Sequence, residues 1–180
     1  ANGSGKTTTI NSICNLIDVD KGEIYFEGQS IQKDRRYLAK IGAVLGGSRN
    51  INWRLTASQN ARYFAALKGY QAKHLKLKIA EIEKQLGLDT YADLEVLKLS
   101  TGNKQKASLL CALAYSPKLL LLDEPTSGLD ATTALAMLAT LRDLANMGHS
   151  VAIVIHQPRT TIYNMFDHLL LLSKGHTVYN

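Results

Sequence analysis

Leu119-Leu120-Leu121-Leu122-Asp123-Glu124-Pro125 is the stretch on which the fold turns. Four successive leucines without polar alternation read as a strand covered on both faces, the habit of a parallel sheet. The strand delivers two carboxylates to its carboxyl end, where open α/β sheets hold their ligands, and Pro125 breaks the chain just beyond. Taken alone, an Asp after a strand is commonly a turn or cap residue. It gains meaning from Ala1-Asn2-Gly3-Ser4-Gly5-Lys6-Thr7-Thr8 at the other end of the chain. That segment follows the phosphate-loop pattern G-x-x-x-x-G-K-[ST] from its second position, so the first glycine is expected one residue before Ala1. Gly3 and Gly5 let the backbone curl and aim successive N–H groups at phosphate oxygens. Lys6 supplies a point charge to the β- and γ-phosphates, and the Thr7 hydroxyl is suited to Mg²⁺. A helix opening near Lys6 adds its positive end. An ordinary glycine turn before a helix is the bland alternative, and Asp123-Glu124 argues against it. The two segments together indicate a nucleoside triphosphate and its hydrolysis.

The 180 residues make one domain of ordinary size, with 46% hydrophobic and 20% charged residues, as in a soluble globular protein. The net charge of +6 suits a nucleotide, nucleic acid or an anionic membrane face. Its densest run, Lys73, Lys76 and Lys78 around His74, reads as a solvated helix face. Two cysteines, Cys14 and Cys111, exclude a disulfide framework, and the five histidines have no metal-ligand spacing. No apolar run approaches ~18 residues and no signal peptide is seen, so the domain is expected in the cytosol or facing it.

Along the chain, strand and helix patterns alternate around a helical region at roughly 50–115. Ile10, Ile13, Leu16 and Ile17 recur at helical spacing and predict a helix packed on a sheet. Glu23–Gly28 predicts a short antiparallel strand near an edge, and Lys40–Leu45 a further strand ending at Gly46-Gly47. Thr56-Ala57-Ser58-Gln59 fits a capping box, with its helix ending by Gly69. Leu75, Ile79, Ile82 and Leu86 form the apolar stripe of another helix, stopped at Gly87. Val151–Ile155 predicts a buried parallel strand, and Ser173-Lys174-Gly175 a hairpin turn between two short strands.

Leu99-Ser100-Thr101-Gly102-Asn103-Lys104-Gln105-Lys106 precedes a helical run, and here the chain resembles the ATP-binding cassette (ABC) ATPases. Their LSGGQ signature stands in this place, with Ser100 lying 23 residues before Asp123. Gly128-Leu129-Asp130 is similar to the family's D-loop, and His156, 33 residues after Asp123, to its H-loop histidine. The first half resembles multidrug-type exporter ATPases, especially over Asn50–Thr56, and the part from His156-Gln157-Pro158-Arg159 resembles subfamily G exporters. The resemblance covers essentially the whole chain. It implies a P-loop NTPase core with a mainly parallel sheet, an antiparallel β edge and an inserted α-helical subdomain. It also implies a cytosolic-face ATPase domain that pairs with a second such domain and with a transmembrane permease, fused or separate, and no nucleic acid partner. Each ATP then lies between the phosphate loop of one subunit (Asn2, Gly3, Ser4, Gly5, Lys6, Thr7 and Thr8) and the signature of the other (Ser100, Thr101, Gly102 and Asn103). Glu124 is the expected general base, Asp123 and Thr7 the Mg²⁺ residues, His156 the γ-phosphate contact, and Asp130 a residue of the dimer seam.

Three departures from the pattern stand out. Thr101 and Asn103 replace a glycine and a glutamine of the signature, and a β-carbon at Thr101 restricts positive φ. Gly46 stands where the family presents a glutamine, leaving no side-chain oxygen there. The adenine-stacking aromatic and the strands expected ahead of the loop are absent, so the chain is read as truncated inside the phosphate loop. Two other functions compete: a soluble ABC protein of ribosomes or DNA, and an ATP-dependent clamp with little turnover. The separation of 54 positions from Gly46 to Ser100 leaves no room for a long coiled coil, against the DNA-repair type.

Overall fold

The computed structural model describes residues 3–70, 73–155 and 160–179. In chain order the elements are α1 (Lys6–Ile13), β1 (Tyr25–Phe26), β2 (Gln29–Ser30), β3 (Ile41–Val44), α2 (Ala57–Leu67) and α3 (Leu75–Gln85). There follow α4 (Thr101–Leu113), β4 (Leu119–Asp123), α5 (Ala131–Asn146), β5 (Ser150–Val154), α6 (Thr160–Tyr163), β6 (Leu171–Ser173) and β7 (His176–Tyr179).

The leucine run forms the middle of a three-stranded parallel sheet ordered β3-β4-β5. Ile41 pairs with Leu119 and Val44 with Leu122 on one side, and Leu119 with Ser150 through Asp123 with Val154 on the other. Because strand side chains alternate, β4 divides its leucines between two cores. Leu120 and Leu122 join α4, α5 and the helical region, while Leu121 meets Ile10, Ile31, Tyr37, Ile41 and Val154. All three are essentially inaccessible, so truncating any one to Ala is expected to cost about 2–5 kcal/mol. Gly42 lets β3 lie close to α4, since a β-carbon there would fall 2.7 Å from the Ala112 carbonyl oxygen. The predicted antiparallel edge is the β1–β2 hairpin, whose Glu27-Gly28 loop takes left-handed φ at both residues (51° and 76°).

Two local expectations are corrected. The first helix stops at Ile13 rather than running through Ile17, and Leu16 is 62% exposed. Asn15 takes φ 56° and the Leu16 amide turns back to the Asn11 carbonyl, an Asn-terminated helix end that overrides the apolar spacing. Strand β5 is parallel as expected, but of its five residues only Val154 is buried, because β5 pairs with β4 alone among the described residues.

The helical region follows its sequence signals closely. Thr56 and Gln59 form the reciprocal capping box of α2, and Gly69 and Gly87 adopt positive φ just past α2 and α3. Asn60 on α2 is completely buried and fully used. Its side-chain oxygen accepts from the Asn52 amide at 2.8 Å, while its Nδ2 donates to the Asn52 and Thr56 carbonyls at 2.9 and 3.0 Å. The loop 52–56 is thereby pinned to α2, and it also pairs with the segment leading into α4 through the Val96 and Leu97 amides.

Candidate nucleotide site

The phosphate-binding turn is built from backbone conformations that side chains oppose. Gly3 and Gly5 have φ of 75° and 96°, so each glycine is required where it stands. Gly5 is the N-cap of α1 and has no side chain to occupy the first amides, which leaves them available to an anion. Ser4 is buried beneath the turn, and the Lys6 ammonium donates to its hydroxyl at 2.8 Å. Thr8 and Thr7 lie exposed on the first turn of α1.

Strand pairing carries the carboxylates to the same place. The Thr7 hydroxyl donates to Asp123 Oδ1 at 3.3 Å across 116 residues, so the loop and the end of β4 are in direct contact. Two hard oxygens side by side suit a small divalent cation that retains several waters. Glu124 follows with φ 53°, an uncommon backbone for a residue other than Gly, Asn or Asp. Its amide donates to the Val154 carbonyl at 3.0 Å, and its carbonyl accepts from Ser127 at 3.0 Å. These bonds hold the strained residue in place, an arrangement common where a side chain must be aimed. His156 and Asn2 lie outside the described residues.

The signature segment opens a second helix N-terminus. Ser100 is the N-cap of α4 and accepts from the Asn103 amide at 3.3 Å. Thr101 opens the helix in ordinary helical conformation and is exposed, so its β-carbon meets no demand for positive φ here. Gly102 is needed for a different reason. A β-carbon there would stand 2.7 Å from Thr133 Cγ2, so α4 and the first turn of α5 meet where only glycine fits. Asp130 caps α5, accepting from the Thr132 and Thr133 amides at 3.0 Å and from the Thr133 hydroxyl at 2.6 Å. The Thr133 hydroxyl and the amides hold the Asp130 carboxyl below the usual carboxylate range. Ser100 and Gly102 thus open α4, with Gly102 close against α5, while Thr7 joins the phosphate loop to Asp123, the residue before Glu124.

Sequence reasoning recognised the Ser173-Lys174-Gly175 turn but not its place. The Gly175 amide donates to the Ser4 carbonyl at 3.2 Å, and its Cα lies 3.6 Å from where a β-carbon on Gly5 would stand. The β6–β7 turn therefore packs directly against the phosphate loop. Gly46 has φ 67° and faces open space at the start of a short 3₁₀ turn after β3. No cluster of three or more His, Cys, Asp or Glu side chains fit to hold a metal occurs among the described residues. Nor is any described helix long and apolar enough to cross a membrane.

The ABC transporter family profile matches residues 1–127. The chain is 28% identical to the ABC transporter ATP-binding protein NatA of Bacillus subtilis, over 99% of this chain and 72% of that protein. It is 32% identical to ABC transporter G family member 1 of Dictyostelium discoideum, covering 98% of this chain and 24% of the relative. Caenorhabditis elegans ABC transporter ATP-binding protein/permease wht-1 is also 32% identical, over 99% of this chain and 28% of its own length. The chain thus spans only about a quarter of the G-type relatives, and the likeness to them runs through the whole sequence rather than its last third. Among solved structures, the dimeric post-hydrolysis ATP-binding cassette MJ0796 bound to ADP and Pi superposes with a TM-score of 0.84 at 27% identity, over 99% of this chain and 81% of that one. CbiO1 of Clostridium perfringens, part of the ABC transporter complex cbiONQ, shares the fold at a TM-score of 0.87 and 22% identity, over 99% and 73%. With phosphate loop, paired carboxylates and signature helix seated as described, the chain belongs to the ABC transporter family, as a nucleotide-binding ATPase domain.

Proposed function

We propose that this domain hydrolyses ATP at a site completed by a second copy or close relative, and that it drives transport, in the export direction, through a membrane-spanning permease. The observation that carries the reading is the separate seating of two helix N-termini, those of α1 and α4. The phosphate loop meets Asp123 through Thr7, whereas the signature turn lies against Thr133 of α5. A second domain facing head to tail would bring its Ser100 and Gly102 to the γ-phosphate held by Lys6 and the loop amides. Mg²⁺ would neutralise phosphate charge beside Thr7 and Asp123. Glu124 would accept a proton from the attacking water and orient it in line with the γ-phosphate. His156 would hydrogen-bond the γ-phosphate, and Asp130 would lie at the seam. Such a domain would work at the cytosolic face of a membrane. NatA, the G family members and cbiO1 are all ABC transporter components, which favours transport over ribosome or DNA work. The reading is tested by the dependence of turnover on protein concentration. Phosphate release per molecule should rise with concentration in dilute solution, and strictly proportional activity from a verified monomer would remove the two-subunit site.

A further inference from the structure

Trp53 stands in the loop that Asn60 pins to α2, and Lys104 stands on the first turn of α4. The Lys104 ammonium lies over the Trp53 ring, 5.0 Å from its centroid. The Trp53 carbonyl accepts from the Leu97 amide at 2.9 Å, three residues before Ser100. The first turn of α4 therefore has two tertiary neighbours. Thr133 leaves no room for a β-carbon at Gly102, and the Trp53 ring lies under the Lys104 ammonium. The loop beneath Trp53 is not free to follow, because Asn60 locks both backbone groups of Asn52. A cation held over an indole face in a rigid frame fixes direction as well as distance.

We propose that Trp53 is a positioning residue for the signature turn, acting through Lys104 to hold Ser100 and Gly102 in the orientation that meets a nucleotide on the facing subunit. The inference rests on the two-subunit reading above and adds to it a specific determinant outside the phosphate loop and the signature. Trp53 touches no nucleotide. It sets how much of the domain population presents a competent signature turn, and so the ATP concentration needed to close the pair.

The test uses the full chain in the Glu124→Gln background, with dimer formation followed by size exclusion as ATP is raised. Trp53→Leu and Lys104→Met should each raise the half-maximal ATP concentration about two- to fivefold, the range of a partly exposed cation–π contact. Trp53→Phe should return it to within about twofold of the parent, and the Trp53→Leu/Lys104→Met pair should add nothing beyond either single change. The dimer reached at saturating ATP should be unchanged. Trp53 emission, taken as the difference from Trp53→Phe, should shift on Lys104→Met because the ammonium leaves the indole face, whereas a merely structural contact would leave the ATP threshold at the parental value. If Trp53→Leu does not fold, Lys104→Met decides alone, since it leaves the loop intact. A parental ATP threshold in Lys104→Met would overturn the proposal, whatever the emission does. Failure of the parent itself to dimerise would instead overturn the two-subunit reading, and this inference with it.

Discussion

Replacing Gly102 with alanine tests the closest contact in the site. An alanine β-carbon would lie 2.7 Å from Thr133 Cγ2, against an ordinary carbon–carbon contact of about 3.5–4.0 Å. The first turn of α4 must then retreat from α5 by about 1 Å. Overpacking of this kind costs about 1–3 kcal/mol, while exchanging glycine for alanine in a helix returns up to about 1 kcal/mol. The net loss is about 0–2 kcal/mol, or a fall of up to about 8 °C in Tm for a domain of this size. The functional effect should be larger than the stability effect, since a displacement of about 1 Å at a reacting centre can cost ~100-fold in rate. Thr133→Ser supplies the control. It removes the offending methyl and keeps the hydroxyl that donates to Asp130 at 2.6 Å. Phosphate release at saturating ATP should fall by at least tenfold in Gly102→Ala and recover to within about threefold in Gly102→Ala/Thr133→Ser. Unaltered turnover in the single variant, or no recovery in the double, would refute the argument that α4 is positioned by this contact.

Lys6→Ala should weaken nucleotide binding about 10- to 100-fold, the worth of a charge-assisted contact to phosphate; titration with a fluorescent ATP analogue checks this, and unchanged affinity would remove Lys6 from that role. Gly46→Gln should raise turnover if a side-chain oxygen is missing there, at a stability cost of about 1–2 kcal/mol because the new residue must adopt left-handed φ. Parallel melting and phosphate-release measurements separate the two effects, and unchanged turnover would mean that another residue supplies that oxygen.

Where local chemistry decides structure, the chain could be read directly. The leucine run, the capping box at Thr56, and the glycines after α2 and α3 each specify their element through one dominant effect, and each forms where expected. The phosphate loop and Asp123 were legible for the same reason, since their spacing is dictated by a ligand. Helix α1 was overread because the apolar spacing of Leu16 and Ile17 continues past Asn15, whose left-handed conformation ends the helix first. Strand β5 was read as buried from its β-branched run, but burial depends on neighbours that composition does not reveal.

Contacts between distant segments were invisible for a different reason. Nothing in Ser173-Lys174-Gly175 says that its turn packs against Ser4, and nothing in Trp53 or Lys104 says that they meet. Gly102 was legible as part of a motif, but the demand for glycine comes from Thr133, thirty-one residues away. Asn60 reads as an ordinary polar helix residue until its three bonds to the backbone of residues 52–56 are seen.

We propose that Glu124, held just past the end of β4 in a strained backbone, activates water against an ATP shared between two domains. Glu124→Gln keeps the side-chain shape and removes the base, so it isolates the chemical step from binding. Phosphate release and oligomeric state should be measured together on this variant with saturating ATP and Mg²⁺. Turnover should almost vanish while an ATP-bound dimer accumulates. Phosphate release near the unmutated rate, from a protein that stays monomeric with ATP, would contradict it.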